Sequence, residues 1–230
     1  MKEQASGRRS PGRPAVPLAR IVTAALEVLD TEGAEALTMR TLAQRLGSGT
    51  ATLYRNFESR AGLVAALVDH ILGEAVLEAG DLGGMPWDVA CRKNAHSVFK
   101  VLRRHPNVAP LMVDYVPIGP NATALREAAF TALLNDGFPR HIAARSFATV
   151  ARYVLGFAIQ ASGRSARGPA PPRAAVFQGL DRKRLPATIS VAGSLPLSVE
   201  EEFSFGLELI IAGLTRARRL ARKDGSAKQR

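Results

Sequence analysis

Between residues 18 and 60, hydrophobic and polar positions alternate with the period of an α-helix. Apolar side chains recur there at intervals of three and four residues, which places them on one face of an amphipathic helix. They are Leu18, Ile21, Val22, Ala25, Leu26 and Leu29. Gly33 is expected to end this helix, and Thr38 is suited to be the N-cap of the next one.

Two shorter helices are predicted on either side of Gly47. Leu42, Ala43 and Leu46 share the inward face of the first, and the second begins at Thr50, about one tight turn later. Two short helices joined by a glycine turn are typical of the helix-turn-helix arrangement, whose second helix enters the major groove of DNA.

Hydroxyl, guanidinium and amide side chains on and around this second helix are candidates for DNA contact, because they donate to phosphates and read base edges. These candidates are Arg40, Thr50, Thr52, Tyr54, Arg55, Asn56 and Arg60. In the alternative interpretation, Leu53 and Phe57 are core residues and their polar neighbours only face water.

The rest of the chain is also predicted to be helical. An apolar stripe from Leu63 to Val76 indicates a long helix that follows the head, and proline and glycine mark the breaks between later helices. No stretch alternates with a period of two, so strands are not expected. The predicted fold is all-α, with an N-terminal three-helix helix-turn-helix domain and a C-terminal helical domain. The later helices are expected at about 87–104, 107–113, 121–136, 140–160 and 199–221.

Composition narrows the class of protein. The 230 residues carry a formal net charge of +11, and the excess of Lys and Arg lies at both ends and around residues 160–188. No apolar run approaches the roughly 20 residues that cross a bilayer, and the N-terminus lacks the apolar stretch of a secretory signal. Cys91 is the single cysteine and cannot form an intrachain disulfide. A cytoplasmic protein without membrane contact is expected.

These observations predict a division of the chain into four parts. Residues 1–17 form a flexible basic arm and residues 18–62 the helix-turn-helix domain. Residues 63–221 form a second helical domain, with a mobile loop at about 161–197. Residues 222–230 form a basic tail.

The order of motifs resembles one family of regulators. The segment LTMRTLAQRLGSGTATLYRNF is similar to the DNA-binding domain of the TetR (tetracycline repressor) family, and RKNAHSVF, LLNDGFPRHIAARSFATVARYVLGFAI and FGLELIIAGL resemble the regulatory domain of the tetracycline repressor itself. The resemblance implies a ligand-responsive transcriptional regulator, most often a repressor. Such a protein is released from double-stranded, palindromic operator DNA by a small hydrophobic effector.

The resemblance also implies which residues contact DNA. Family members contact DNA through the positions that correspond here to Thr38, Arg40, Thr50, Ala51, Thr52, Tyr54, Arg55, Asn56 and Arg60.

A homodimer is implied as well, formed through helices at about 140–160 and 199–219. The sequence agrees with this, because apolar stripes run along both segments. The second stripe consists of Phe203, Leu207, Ile210, Ile211 and Leu214, and Gly206 and Gly213 would allow another helix to approach closely. Alternatively, both stripes belong to the core of a single chain.

An effector site is expected inside the second domain. The positions implied by the resemblance are mostly apolar, with Asn94 and His96 as polar anchors, which suits a flat hydrophobic ligand. The predicted lining residues are Val76, Asn94, Val98, Phe99, Met112, Phe130, Phe147 and Ala151. Each of them could instead be an ordinary core residue.

No metal or cofactor is expected. Met112, Gln160 and Val76 stand where the tetracycline repressor has a metal-binding His, a water-binding Glu and a ligand-contacting His. None of these three side chains supplies the charged oxygen ligands that Mg²⁺ prefers. Recognition of a tetracycline–magnesium chelate is therefore not predicted.

Two other classes of protein fit the sequence less well. An enzyme is not expected, because Gly47-Ser48-Gly49-Thr50 lacks the spacing and the lysine of a phosphate-binding loop, the four histidines lack metal-binding spacing, and no GxSxG motif is present. A DNA-coating protein without sequence preference is the alternative function, since basic arms and tails bind DNA by charge alone.

Overall fold

The computed structural model describes residues 16–113, 115–165, 180–195 and 198–227. Within these ranges every regular element is helical, which confirms the predicted all-α fold. The α-helices are α1 (Leu18–Glu32), α2 (Met39–Arg45), α3 (Thr50–Tyr54), α4 (Arg60–Ala79), α5 (Trp87–Arg104), α6 (Pro120–Asn135), α7 (Arg140–Ser165), α8 (Pro186–Val191) and α9 (Val199–Ala227). Short 3-10 helices lie at Ala109–Met112 and Ala192–Ser194.

The chain forms two compact units that divide between Leu63 and Val64. Parts of three predicted segments lie outside the described residues: residues 1–15 of the basic arm, residues 166–179 and 196–197 of the loop, and residues 228–230 of the tail.

The first unit is built around the apolar face of α1. Ile21, Val22, Ala25 and Leu29 are buried as the helical period predicts, whereas Leu18 is 51% exposed because it lies at the start of the helix. Ala24 and Val28 of α1 are buried as well, and the other buried apolar side chains of this unit come from the next two helices, their connections and the start of α4. They are Leu37, Met39, Leu42, Ala43, Leu53, Phe57 and Leu63.

Local contacts fix the boundaries of the two short helices. The hydroxyl oxygen of Thr38 accepts a hydrogen bond of 3.0 Å from the backbone N–H of Thr41, so Thr38 is the N-cap of α2. Gly47 has a backbone φ of +59°, which residues with a Cβ rarely adopt. This conformation allows the chain to turn sharply into α3. The turn between α2 and α3 therefore depends on a glycine at position 47.

The second unit is centred on α7, which packs against α5, α6 and α9. Phe203 of α9 is fully buried at this junction, and its ring stacks on that of Phe99 with 4.0 Å between centroids. Tyr153 and Phe157 of α7 pack around the same ring. The aromatic cluster therefore joins three helices of this unit.

The stripe predicted on α9 does not form an outer surface. Phe203, Leu207 and Ile211 are buried within their own chain, which is the alternative interpretation of that stripe. The exposed apolar residues of α9 lie on another face and include Phe205 (65% exposed) and Leu209 (59% exposed).

Part of the range predicted to be loop is helical. Helix α7 continues to Ser165, and α8 occupies Pro186–Val191. Pro186 stands in the first turn of α8, where its missing N–H costs no hydrogen bond and its fixed φ favours the helix. A proline in the sequence pattern predicts a loop, whereas in the first turn of a helix it favours the helix.

By length and composition, Arg140–Ser162 of α7 is apolar enough to cross a membrane, with a mean hydropathy of 1.3 over its most apolar window. The same helix is packed against three others in the second unit. Core helices of soluble proteins can be equally long and apolar, so length and composition alone do not indicate a membrane span.

Candidate DNA-binding helix and effector cavity

The predicted recognition helix, α3, turns one face inward and one outward. Leu53 is fully buried and Phe57, just beyond the helix, is 6% exposed. Tyr54 is 55% exposed, so a large aromatic side chain with a hydroxyl stands on the outer face. Thr50, Ala51 and Arg55 are also exposed, Thr52 is half-buried, and Arg40 is exposed on α2.

Three of the predicted DNA-contacting residues form hydrogen bonds inside the first unit. Thr38 caps α2, and the side-chain amide of Asn56 donates to the carbonyl oxygen of Thr52 at 3.1 Å. Arg60 donates from Nε to the Leu37 carbonyl and from Nη2 to the Ala34 carbonyl, both at 2.9 Å. Arg60 thus braces the connection between α1 and α2.

The second unit contains a cavity of about 510 Å³. Helices α5, α6 and α7 supply most of its walls, together with Met112, Val113 and residues 115–118. This volume lies within the range of roughly 300–1,000 Å³ typical of sites for drug-sized molecules. Five of the predicted effector-binding residues line it: Asn94, Val98, Met112, Phe147 and Ala151.

The other three predicted residues lie elsewhere. Val76 lines a separate cavity of about 690 Å³ beside the 80–86 connection. Phe99 stacks on Phe203, and Phe130 packs against the ring of Phe147 with 5.1 Å between centroids without lining the cavity.

Helix geometry explains this result for Phe99. Successive residues of a helix are turned by about 100°, so Phe99 points away from the direction of Val98 and reaches Phe203 instead of the cavity. His96, the second polar anchor predicted for the effector site, is exposed and contacts the Phe203 ring edge-on.

Several polar groups of the cavity wall already have partners in the protein. The side-chain amide of Asn94 donates to the Leu125 carbonyl at 3.1 Å, and the Ser146 hydroxyl donates to the Ile142 carbonyl at 2.8 Å. Burial raises the pKa of the Cys91 thiol to about 11, so this group stays protonated at neutral pH. The wall is therefore largely apolar, with few free donors.

Comparison with known families identifies both units. Residues 21–67 match the family of bacterial regulatory proteins of the tetR family, and residues 79–218 match the tetracyclin repressor-like C-terminal domain. The second match alone covers more than half of the chain. The chain belongs to the TetR family.

Individual relatives agree with this assignment. A helix-turn-helix transcriptional regulator of Saccharopolyspora erythraea is 29% identical over 90% of this chain and 88% of its own length. The class G tetracycline repressor of Vibrio anguillarum is 28% identical over 86% of this chain and 93% of its own. The crystal structure of ActR from Streptomyces coelicolor with actinorhodin superposes with a TM-score of 0.78, at 30% identity over 88% of this chain and 96% of that one.

This TetR-family protein is thus a DNA-binding transcriptional regulator and not an enzyme, as the sequence predicted. The three positions predicted to replace the chelate-binding residues of the tetracycline repressor are dispersed: Met112 lines the cavity, whereas Val76 and the exposed Gln160 do not. Within the described part of the chain, no group of three His, Cys, Asp or Glu side chains could hold a metal ion.

Sequence reasoning missed other residues of the cavity wall. Leu72, Trp87 and Cys91 line it, as do Arg126 and Arg152. Cys91, Asn94 and Val98 recur at intervals of three and four residues along α5, so the period of the helix could have extended the predicted set to Cys91. Nothing in the local sequence indicates that Arg126 faces a cavity.

Proposed function

We propose that this TetR-family protein is a ligand-responsive repressor that binds a palindromic operator as a homodimer and leaves it when a small apolar effector binds. The apolar cavity in the second unit is the observation that carries the proposal, because a ligand can stabilise one conformation of the protein only from a site where it binds. ActR, which has the same fold, was crystallised with actinorhodin.

Contact with the operator would be made by the outer face of α3. Tyr54 and Arg55 are exposed there, and a guanidinium can donate two hydrogen bonds to guanine in the major groove. Because Leu53 and Phe57 hold α3 from the inside, substitutions on the outer face should change DNA affinity without unfolding the unit.

The homodimer would be formed through α7 and the exposed apolar face of α9. Phe205 and Leu209 lie on that face, and a Cβ added to Gly213 would meet no atom of the same chain. Exposed apolar surface of this kind is typical of a face that a partner covers.

Effector and operator would oppose one another by linkage. Operator binding requires that the two DNA-binding units reach successive major grooves, roughly 34–36 Å apart. An effector that binds better to a conformation without this spacing lowers the affinity of the protein for the operator. The operator must then lower the affinity for the effector by the same factor.

The test is selection of bound duplexes from a random DNA pool by the purified chain at near-physiological salt. We expect an enriched palindrome of about 15–20 base pairs. The variants Y54A and R55A should bind it about 10- to 100-fold more weakly, since each base contact contributes about 1–3 kcal/mol. The exposed Gln44 on α2 allows a matched control, Q44A, which should bind within about twofold of the wild type.

Enrichment of no motif would contradict the proposal and leave charge-driven coating of DNA, in which the affinity for random duplexes equals that for selected ones and falls steeply with salt.

Tetracycline offers a second test. We expect no binding of tetracycline that depends on Mg²⁺, because neither Met112 nor Gln160 offers a carboxylate or imidazole to the metal. Fluorescence titration of tetracycline with Mg²⁺ and then with excess EDTA measures this. A chelator-sensitive affinity in the nanomolar range would contradict the prediction.

A further inference from the structure

The described charged side chains that line the cavity of the second unit are all positive. Arg126 of α6 and Arg152 of α7 are among its lining residues, and none of the described lining residues is an aspartate or a glutamate. A guanidinium remains protonated at every physiological pH. A largely apolar cavity therefore has two permanent cations in its wall and no carboxylate among its described lining.

Arg126 is held in place by neutral groups. Its Nη2 donates a hydrogen bond of 2.7 Å to the carbonyl oxygen of Pro117, and its Cζ lies 5.8 Å from the centroid of the Phe147 ring. Pro117 and Phe147 both line the cavity. Across the described residues, the ion pairs within 4.0 Å do not include Arg126.

This arrangement leaves donors available to a ligand. A guanidinium has five N–H donors, and Pro117 accepts a hydrogen bond from one nitrogen of Arg126. Hydrogen bonds between ionised partners are about twice as strong as neutral ones, and they strengthen further where water is excluded. Asn94 and Ser146 also donate to backbone carbonyls, but both are neutral, so the charged Arg126 with its further N–H groups is the stronger donor for an acidic group.

We propose that the effector is an anion: an apolar molecule with a carboxylate or another acidic group that accepts hydrogen bonds from Arg126. The inference rests on the proposed role of this cavity as the effector site, and it adds the chemical class of the ligand. The apolar wall would bind the body of the molecule, and Arg126 would select its charge.

A pair of fluorescent dyes tests the charge preference directly. Anilinonaphthalene sulfonate and N-phenylnaphthylamine share one ring system, and only the first has an acidic group. Titration of the full chain with each dye, without DNA, should give about 10-fold or tighter binding of the sulfonate. That factor corresponds to one hydrogen bond to a charged group.

Variants assign the preference to one side chain. We expect R126Q to bind the sulfonate about 10- to 100-fold more weakly and the neutral dye within about twofold of the wild type, and R126K to keep part of the preference. The matched control is R145Q, which removes one exposed positive charge of α7 outside the cavity and should leave both affinities unchanged. A129F places a ring in the cavity wall and should weaken both dyes.

Four results would overturn the proposal. They are equal affinities of the wild type for the two dyes, an equal loss of both dyes in R126Q, a loss of sulfonate binding in R145Q that matches R126Q, and unchanged dye binding in A129F. The operator measurement separates this inference from the proposed function. R126Q without dye should bind the selected operator like the wild type, so failure of the dye test leaves operator binding intact.

Discussion

At the scale of single residues, Gly206 of α9 packs closely against Tyr153 of α7. The Tyr153 hydroxyl donates a hydrogen bond of 2.7 Å to the Phe203 carbonyl. A Cβ built on Gly206 would overlap that hydroxyl oxygen and lie 3.0 Å from Cζ of the same ring. Gly206 thus allows close approach of α7 from the same chain.

We expect G206A to lower the free energy of unfolding by about 1–3 kcal/mol, because the added methyl group must displace a ring held by a hydrogen bond. Urea unfolding followed by circular dichroism measures this. The control is G156A on α7, where a Cβ meets nothing within 4 Å and alanine should be neutral or stabilise the helix by up to about 1 kcal/mol.

Combining G206A with Y153F should reduce the penalty, since the overlapping hydroxyl is then absent. Equal penalties for G206A in both backgrounds would show that Tyr153 is not the cause.

At the scale of elements, α5 and α9 are joined by an ion-pair network around Arg92. Its Nε and Nη2 donate to the two carboxylate oxygens of Glu208 at 2.6 and 2.9 Å, and its Nη1 donates to Asp88 at 2.7 Å. The hydrogen bonds from Arg92 lower the pKa of both carboxyl groups. Two-pronged pairing of this kind holds a defined geometry better than a single surface contact.

The lowered pKa values of Glu208 and Asp88 determine how the stability of the fold changes with pH. A carboxyl group whose pKa is lower in the folded state stabilises the fold above its unfolded pKa, near 4, and loses that contribution as pH falls through the folded pKa. We therefore expect R92Q to be less stable than the wild type at pH 7, by about 1 kcal/mol or less because solvent screens the partly exposed pairs.

The difference between R92Q and the wild type should shrink as the pH is lowered below about 4, where both carboxyl groups become protonated. Urea midpoints at a series of pH values provide the measurement, and K93Q, an exposed charge change on the same helix, is the control. A deficit in R92Q that is the same at pH 7 and pH 3 would contradict the electrostatic explanation.

At the scale of the whole molecule, the chain combines a DNA-binding unit with a second unit that has a ligand-sized cavity and an uncovered apolar helix face. Phe205 and Leu209 stand on that face of α9, whereas Phe203 and Leu207 close the core from the opposite side. An isologous pairing of two chains would bury the exposed side chains on both copies at once.

We expect L209E to convert the proposed dimer into a monomer that keeps its helical circular dichroism, since a carboxylate in an apolar interface is costly to desolvate. Sedimentation velocity at micromolar concentration measures the change. L77E alters another exposed leucine, on α4, and should leave the dimer intact. A wild-type chain that sediments as a monomer, or an L209E variant that remains dimeric, would contradict the prediction.

The sequence by itself determined what depends on neighbours along the chain. The helical period, the left-handed turn at Gly47 and the cap at Thr38 are local requirements, so the helix-turn-helix unit and the all-helical fold could be predicted from the residues. The same local patterns misled at Pro186, because a proline marks a loop or a helix start according to the backbone that follows.

Only the tertiary structure decided how each helix of the second unit is rotated about its axis. An apolar stripe states that a helix has a buried face, but on α9 apolar residues lie on two faces, and packing against α7 selected Phe203 and Leu207 for the core. The same rotation turned Val98 to the cavity and Phe99 away from it, and the packing of α6 brought Arg126 to the cavity wall. Such choices depend on contacts between residues far apart in sequence, and for that reason no local pattern specifies them.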